Sequence, residues 1–241
     1  VALSLGSGAT VTDKAGNALA NLTPTAPVQT YTLDHTQPVA TITSNKVALG
    51  ASGTAIVTFS LSAASTDFTI DDISVVGGSL GTWSGTGSTY TAVFTPAAGF
   101  QGDATIDISA GTWTAATGNS NGPSAELTIA VDTQAPTVSF VSSSSAAGTY
   151  GVGSTVNVVV NFNEAVTVTG VPQLKLETGT VDRVINYTSG SGTAALTFAY
   201  TVQTGDTSAD LNYFDTASLT LNTAPSLATI TDAAGNVGVL T

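Results

Sequence analysis

The side chains that could do chemistry in this chain are almost all carboxylates. Cysteine is absent and His35 is the lone histidine, so thiolate nucleophiles, cysteine metal sites and histidine clusters are ruled out by inventory. His35 stands beside Asp34 with no serine-nucleophile motif near it, and reads as a surface residue. Asp71 and Asp72 are adjacent, so in an extended strand they face opposite sides and cannot act as a glycosidase pair. What remains is cation chemistry. Sixteen Asp plus Glu stand against four Lys plus Arg, a formal net charge of −12. Such a chain repels nucleic acid and anionic membrane surfaces and attracts hard cations. No stretch is long and apolar enough for membrane insertion as a helix.

The elements that must position these carboxylates are strands. Segments such as Thr54–Leu61 and Thr155–Phe162 alternate apolar with small polar residues and are rich in β-branched types. Period two of this kind marks half-buried strands. Clusters of Gly, Ser, Asn, Asp and Pro, at Gly77–Ser79, Gly85–Ser88, Gly99–Gly102 and Ser189–Gly192 among others, read as the turns between them. With 42% hydrophobic residues, the chain can supply a core to two domains of ordinary size.

Internal repetition sets the boundaries. Leu33-Asp34-His35-Thr36-Gln37-Pro38 is echoed by Val131-Asp132-Thr133-Gln134-Ala135-Pro136, the two aspartates lying 98 residues apart (132 − 34). That is the length of one immunoglobulin-type sandwich. Ala9–Asn17 is echoed by Ala228–Asn236, 219 positions later (236 − 17). The expected organisation is all-β: tandem immunoglobulin-like antiparallel β-sandwiches. Residues 1–33 are the C-terminal part of a preceding repeat, 34–131 a complete repeat, and 132–241 a repeat of a second type. The final strand of the last is either complete or cut short.

The linker Asp132-Thr133-Gln134-Ala135-Pro136, the strand end Phe162-Asn163-Glu164-Ala165-Val166, the stretch Gly205–Tyr213 and the loop Asp232-Ala233-Ala234-Gly235-Asn236 resemble the bacterial Ig-like repeats of large secreted adhesins and biofilm-associated surface proteins. Phe68–Ile73 and Tyr90–Pro96 resemble a sister repeat type. The resemblance implies a non-enzymatic, extracellular role at the cell surface, with Ca²⁺ within or between repeats and neighbouring repeats of the same chain as partners. A second reading is a subunit of a self-assembling filament or surface layer in which identical chains exchange strands. A third is a carbohydrate-binding module, for which Trp83 and Trp113 would have to be exposed rather than packed.

On the immunoglobulin topology, Asp132 precedes the first strand of the last domain, Glu164 follows its second, and Asp232 with Asn236 lies between the last two. All three places fall at one pole. Carboxylates converging without Lys or Arg repel unless a cation joins them, and calcium takes six to eight oxygen ligands from such loops. The expected Ca²⁺ ligands are therefore Asp132, Glu164, Asp232 and Asn236, with Asp103 on a loop of the preceding domain facing the same junction. The competing reading is that Asp and Asn here only form a tight turn. In the complete repeat Ala63 and Ala115 stand where Glu and Asp are expected. Asp34 remains there, and Asp67, Asp71 and Asp72 offer a substitute cluster. Asp13 and Asn17 match the late-loop motif in the leading fragment. Asp206, Asp210 and Asp215 are expected at the far pole, either as ligands of a next junction or as an exposed acidic loop. Asn21-Leu22-Thr23 and Asn186-Tyr187-Thr188 fit the N-glycosylation pattern.

Overall fold

The structure, a computed structural model, describes residues 10, 12–18, 32–222 and 227–240. Residues 1–37 and 38–241 form two compact units. In the first, the described part is a turn: Thr12 bridges Ala18, Asp13 N–H donates to Asn17 O at 2.9 Å, and the Asp13 carboxylate accepts from Ala15, the Asn17 amide and the Asn17 side chain.

The larger unit carries two hydrophobic cores, one drawn from residues 40–131 and one from 156–230. Around the first lie β1 (Ala40–Ser44), β2 (Ala48–Leu49), β3 (Ala55–Ser65), β4 (Ile73–Val76), β5 (Gly78–Pro96), β6 (Gln101–Ile108) and β7 (Leu127–Asp132). They form two sheets, β1-β3-β5 and β2-β7-β6-β4. Alternation is strict where the core demands it: on β3, Ala55, Val57, Phe59 and Leu61 are buried between exposed or half-exposed neighbours. Pairing is antiparallel except for β2 with β7, which run parallel.

Around the second core lie β8 (Val138–Ser143), β9 (Thr155–Thr169), β10 (Gln173–Glu177), β11 (Arg183–Ser189), β12 (Thr193–Thr201), β13 (Asn212–Tyr213), β14 (Leu219–Thr220) and β15 (Thr229–Thr231). β9 is shared. Its first half pairs with β8 and β12, its last residues with β15. The all-β sandwich expectation thus holds, and among the described residues there is no α-helix.

Two readings are corrected. Gly85–Ser88 is not a turn but lies inside β5, where Gly85 and Gly87 take positive φ of 121° and 70° and β5 begins pairing with β3 at Gly87. Glycine there makes a kink and a break in the ladder without reversing the chain. Asp71 and Asp72 occupy a short 3₁₀ turn, Ile70–Asp72, not a strand. Asp72 caps that turn by accepting from Thr69 N–H at 2.7 Å, and Asp71 is exposed.

Candidate metal centre at the domain junction

Two features of the backbone carry the site. The first is a break in the β9–β12 ladder: Asn161 opposes Ala195 and the next pair is Val166 with Thr193, so residues 162–165 bulge. Glu164 keeps the core-facing parity of Val160, Phe162 and Val166, yet sits at the pole where the core ends. An ionised side chain on a core-facing position is costly unless something compensates it. The second feature is the turn at 231–237. Thr231 bridges Val237, Asp232 N–H donates to Asn236 O at 3.1 Å, and Gly235 takes φ 85° to close it.

These two features and the linker bring Asp132, Glu164 and Asp232 together, one carboxylate oxygen of each lying within 4.8 Å of the others. Asp232 is buried, 4% exposed, and the other two are half-buried. Among the described residues no Lys or Arg pairs with them; the ion pairs are Lys175 with Asp182 and Arg183 with Asp206. The electrostatic signature is on Glu164. Its pKa is raised by burial first and then by the charges of Asp232 and Asp132, against a hydrogen bond from Asn163 that lowers it.

Asn236 ties the cluster to the preceding domain. Its side-chain amide donates to Asp132 O at 2.8 Å, to Gln134 O at 3.2 Å and to Asp232 Oδ2 at 2.7 Å. Its Oδ1 accepts from Ala51 N–H at 2.7 Å, across the boundary between the two cores. The contact is tight enough that a Cβ on Gly50 would lie 2.5 Å from Ala234 O. Asn236 thus spends its oxygen on a backbone amide. It acts as the strut of the junction, and its amide nitrogen holds the carbonyls of 132 and 134 and one oxygen of Asp232.

The other expected ligands lie elsewhere. Asp103 is not on a loop: it lies within β6, opposite Ala130, and outside the three-carboxylate group. Its neighbour Gln101 is the residue that reaches the site, donating to Asp132 Oδ2 at 3.2 Å. Asp34 is exposed in the linker and accepts from Thr36 N–H. Asp13 and Asn17 reproduce the hydrogen bonds of Asp232 and Asn236 in the first unit. Asp206 turns inward: its side chain is 4% exposed and accepts from Arg183 Nε at 2.8 Å, Tyr200 Oη at 2.6 Å and Gln203 N–H at 2.9 Å. Those donors, Arg183 first, hold its carboxyl down at about 2. Asp215 closes a local turn on Ser218, and Asp210 is exposed. Trp113 is buried and Trp83 stacks on Tyr90 over the core of the first domain, so neither offers an open platform. Asn186-Tyr187-Thr188 lies in β11, and Asn21-Leu22-Thr23 lies outside the described residues.

The first domain provides an internal control. Its ladder breaks at the same place, Ser60 opposing Thr89 and Ser65 opposing Gly87, so Ala63 occupies the bulge that holds Glu164. Its late turn has the same backbone: Ala115 N–H to Asn119 O at 2.9 Å, Thr114 bridging Ser120, Gly118 at φ 87°. The turn therefore forms without an aspartate at its first position. In place of a carboxylate cluster, Asp67 accepts from Ser65 Oγ, Thr114 N–H and Thr114 Oγ1, which hold its carboxyl down at about 2.

Residues 34–131 match the family described as bacterial Ig-like domain. A solved structure of the Yersinia pseudotuberculosis adhesin InvE is similar to the chain at 17% identity, over 73% of this chain and 58% of that one, with a TM-score of 0.31. The chain thus spans less than two thirds of that protein. No curated protein matches. No helix among the described residues is long and apolar enough to cross a membrane.

Two residues that position the site were missed in the sequence. Asn163 accepts from Thr137 N–H at 2.7 Å and returns its own N–H to Thr137 O at 3.0 Å, so it pins the linker to the bulge. Ser62 does the same for Val39 in the first domain. The matched positions, 62 with 39 and 163 with 137, were readable only once the two bulges had been aligned. The Gly50-Ala51 contact with Asn236 had no local signal at all, because its partners are 185 residues apart.

Proposed function

We propose that this chain is a structural segment of a bacterial surface protein of the adhesin type, non-enzymatic and extracellular, in which Ca²⁺ stiffens the junction between successive Ig-like domains. The observation that carries the reading is the gathering of Asp132, Glu164 and Asp232, from linker, bulge and turn, within 4.8 Å and, among the described residues, without a cationic partner. Calcium prefers such oxygen sets and completes its shell from loop carbonyls and water. A divalent ion would neutralise two of the three charges and fix the linker to both ends of the second domain's pole. A pinned linker keeps two rigid blocks in line, which is what a stalk that holds a binding region away from a cell needs. The family match of residues 34–131 and the repetition of linker and turn along the chain support the same reading, as does a strongly acidic composition. Export and a part in a biofilm matrix belong to the same proposal.

The test is small-angle scattering with thermal melting of the full chain, in millimolar Ca²⁺ and in chelator, beside the Asp132→Ala, Glu164→Ala double variant. The expected result is a longer, stiffer and more heat-resistant particle with Ca²⁺, a response the variant lacks. Superimposable curves in all four samples would refute it.

A further inference from the structure

Asn-Gly dipeptides usually sit at exposed hairpin turns. The chain has a single one, Asn121-Gly122, and both residues are buried, Asn121 to 1% exposure. They lie in the connection between β6 and β7, just past the late turn at 114–120. Both polar atoms of the Asn121 side chain are committed. Its Oδ1 accepts from Trp113 N–H at 3.0 Å, and its amide nitrogen donates to Ser109 O at 2.8 Å and to Gly122 O at 2.9 Å. The Gly122 nitrogen is held from the other side: its N–H donates at 2.9 Å to the carbonyl of Pro38, a buried residue where the chain enters the first domain. Val39 fastens that entry to Ser62 on β3 through both its N–H and its C=O.

Asn-Gly is also the dipeptide in which the backbone attacks the side chain most readily, because glycine has no side chain to shield its nitrogen. The Gly122 nitrogen adds to Asn121 Cγ, and the new C–N bond closes a succinimide. The Cγ–Nδ2 bond breaks, and its nitrogen leaves as ammonia, carrying the proton of Gly122 N–H. Water then opens the ring at either carbonyl, to aspartate or isoaspartate. In the closed domain both reacting groups are tied down, the amide by three hydrogen bonds and the nitrogen by Pro38. We propose that Asn121-Gly122 is a self-modification site that the closed first domain holds silent, that lifting of the entry segment at Pro38 releases it, and that its deamidation keeps the domain from closing again. The product does not fit the place. A carboxylate at 121 has no N–H to give, so Ser109 O and Gly122 O lose their donor and face a buried charge. Isoaspartate in turn routes the main chain through the side-chain methylene, out of register with Trp113. The entry is the end of the domain that a pull along the chain reaches first, so under the stalk reading a domain held open by load stays extended. The chemistry itself needs neither that reading nor an ion.

The test ages the whole chain at neutral pH, folded in buffer and unfolded in urea, beside folded Ser62→Ala, and follows deamidation at each asparagine by peptide mass mapping. All arms are run in chelator, so the calcium reading has no part in the outcome. In folded wild type the rate at Asn121 should be at least about a hundredfold below that in urea, since only open molecules react. Ser62→Ala, which removes the acceptor of Val39 N–H, should raise the folded rate several-fold. Chains aged in urea and returned to buffer should divide: those with Asn121 intact regain the melting transition of the first domain, and those carrying aspartate or isoaspartate there do not. Asn121→Asp, made directly, should lose or lower the same transition and keep that of the second domain. Equal rates in buffer and urea overturn the proposal, as does a Ser62→Ala rate no higher than wild type, or aged chains and an Asn121→Asp variant that melt as the wild type does.

Discussion

Glu164→Gln keeps the length and volume of the side chain and removes one of three like charges. The three oxygens lie within 4.8 Å of one another, and at that outer separation Coulomb's law gives roughly 3.5 kcal/mol of repulsion per pair at an effective dielectric of about 20, and just under about 1 kcal/mol in bulk water. Glu164 is half-buried and faces two partners, and its raised pKa shows that proton uptake relieves part of the strain. After screening, the variant should gain about 1–3 kcal/mol in chelator at neutral pH, which for a domain of about 100 residues is an increase in Tm of about 5 °C or more. In Ca²⁺ the order reverses. A ligand at one hundred times its Kd stabilises the folded state by about 2.7 kcal/mol, and a site with one fewer carboxylate forfeits most of that. Scanning calorimetry of both proteins, with and without Ca²⁺, therefore shows curves that cross: the variant is the more stable in chelator and the less stable in millimolar Ca²⁺. If Gln is neutral in chelator and neither protein responds to the ion, the carboxylates are turn residues and the metal reasoning fails.

Asn236→Ala removes four hydrogen bonds at a buried position and should cost about 2–4 kcal/mol, read as a lower Tm of the second domain and a broader spread of interdomain angles in scattering. Gly50→Val puts a Cβ about 2.5 Å from Ala234 O, so the junction should open and become sensitive to protease while both cores melt where they did. The pH response has two limbs of opposite sign. Asp67, held at about 2, contributes stability that is complete above its ordinary value of 3.8 and is lost as pH falls from there through about 2; Asp67→Asn should flatten that acid limb in urea titrations of the first domain. Glu164 has a raised pKa, so in chelator the second domain should become more stable as pH falls from neutral through its titration, and Glu164→Gln should abolish that gain.

The local half of this architecture was legible in the sequence. Alternation marks β3, β9 and β12 because each buries one face, and the linker and turn echoes give the repeat length because their backbone needs Gly and Asn at fixed places. The pole of the second domain was legible for the same reason: Asp132, Glu164 and Asp232 sit at strand ends that the topology forces together. Residues whose role depends on a neighbour's offset were not legible. Asp103 falls on β6 and not in a loop because β6 begins at Gln101, immediately after the turn at Gly99, so the carboxylate is carried along the strand away from the cluster while Gln101 takes the place beside Asp132. Asp206 looked like a surface acid because Arg183, Tyr200 and the loop that encloses it come from three separate segments.

The three copies of the late turn separate shape from charge. At 12–18 and at 231–237 the turn has Asp at its first position, and at 114–120 it has Ala115, yet the backbone bonds and the positive φ of the glycine recur in all three. Gly and Asn therefore suffice for the turn, and the aspartate answers to something else. In the first domain, where Ala63 and Ala115 remove both carboxylates, Asp67 ties Ser65 to the turn at Thr114 by hydrogen bonds that need no ion. In the second, Glu164 and Asp232 are retained together and Asp132 joins them, with no Lys or Arg paired to them among the described residues. A fold that can close this pole with neutral partners, and in the adjacent repeat does so, gathers three like charges at the second pole, where hydrogen bonds from Gln101 and Asn236 offset part of the repulsion and a bound cation or protonation would offset more. If the charged pole needs an ion, transplanting Ala115→Asp alone into the first domain should leave its turn intact and its stability indifferent to Ca²⁺, because one carboxylate without its two partners makes no site; a calcium response from that single change would show that the turn motif, and not the three-part convergence, is what binds.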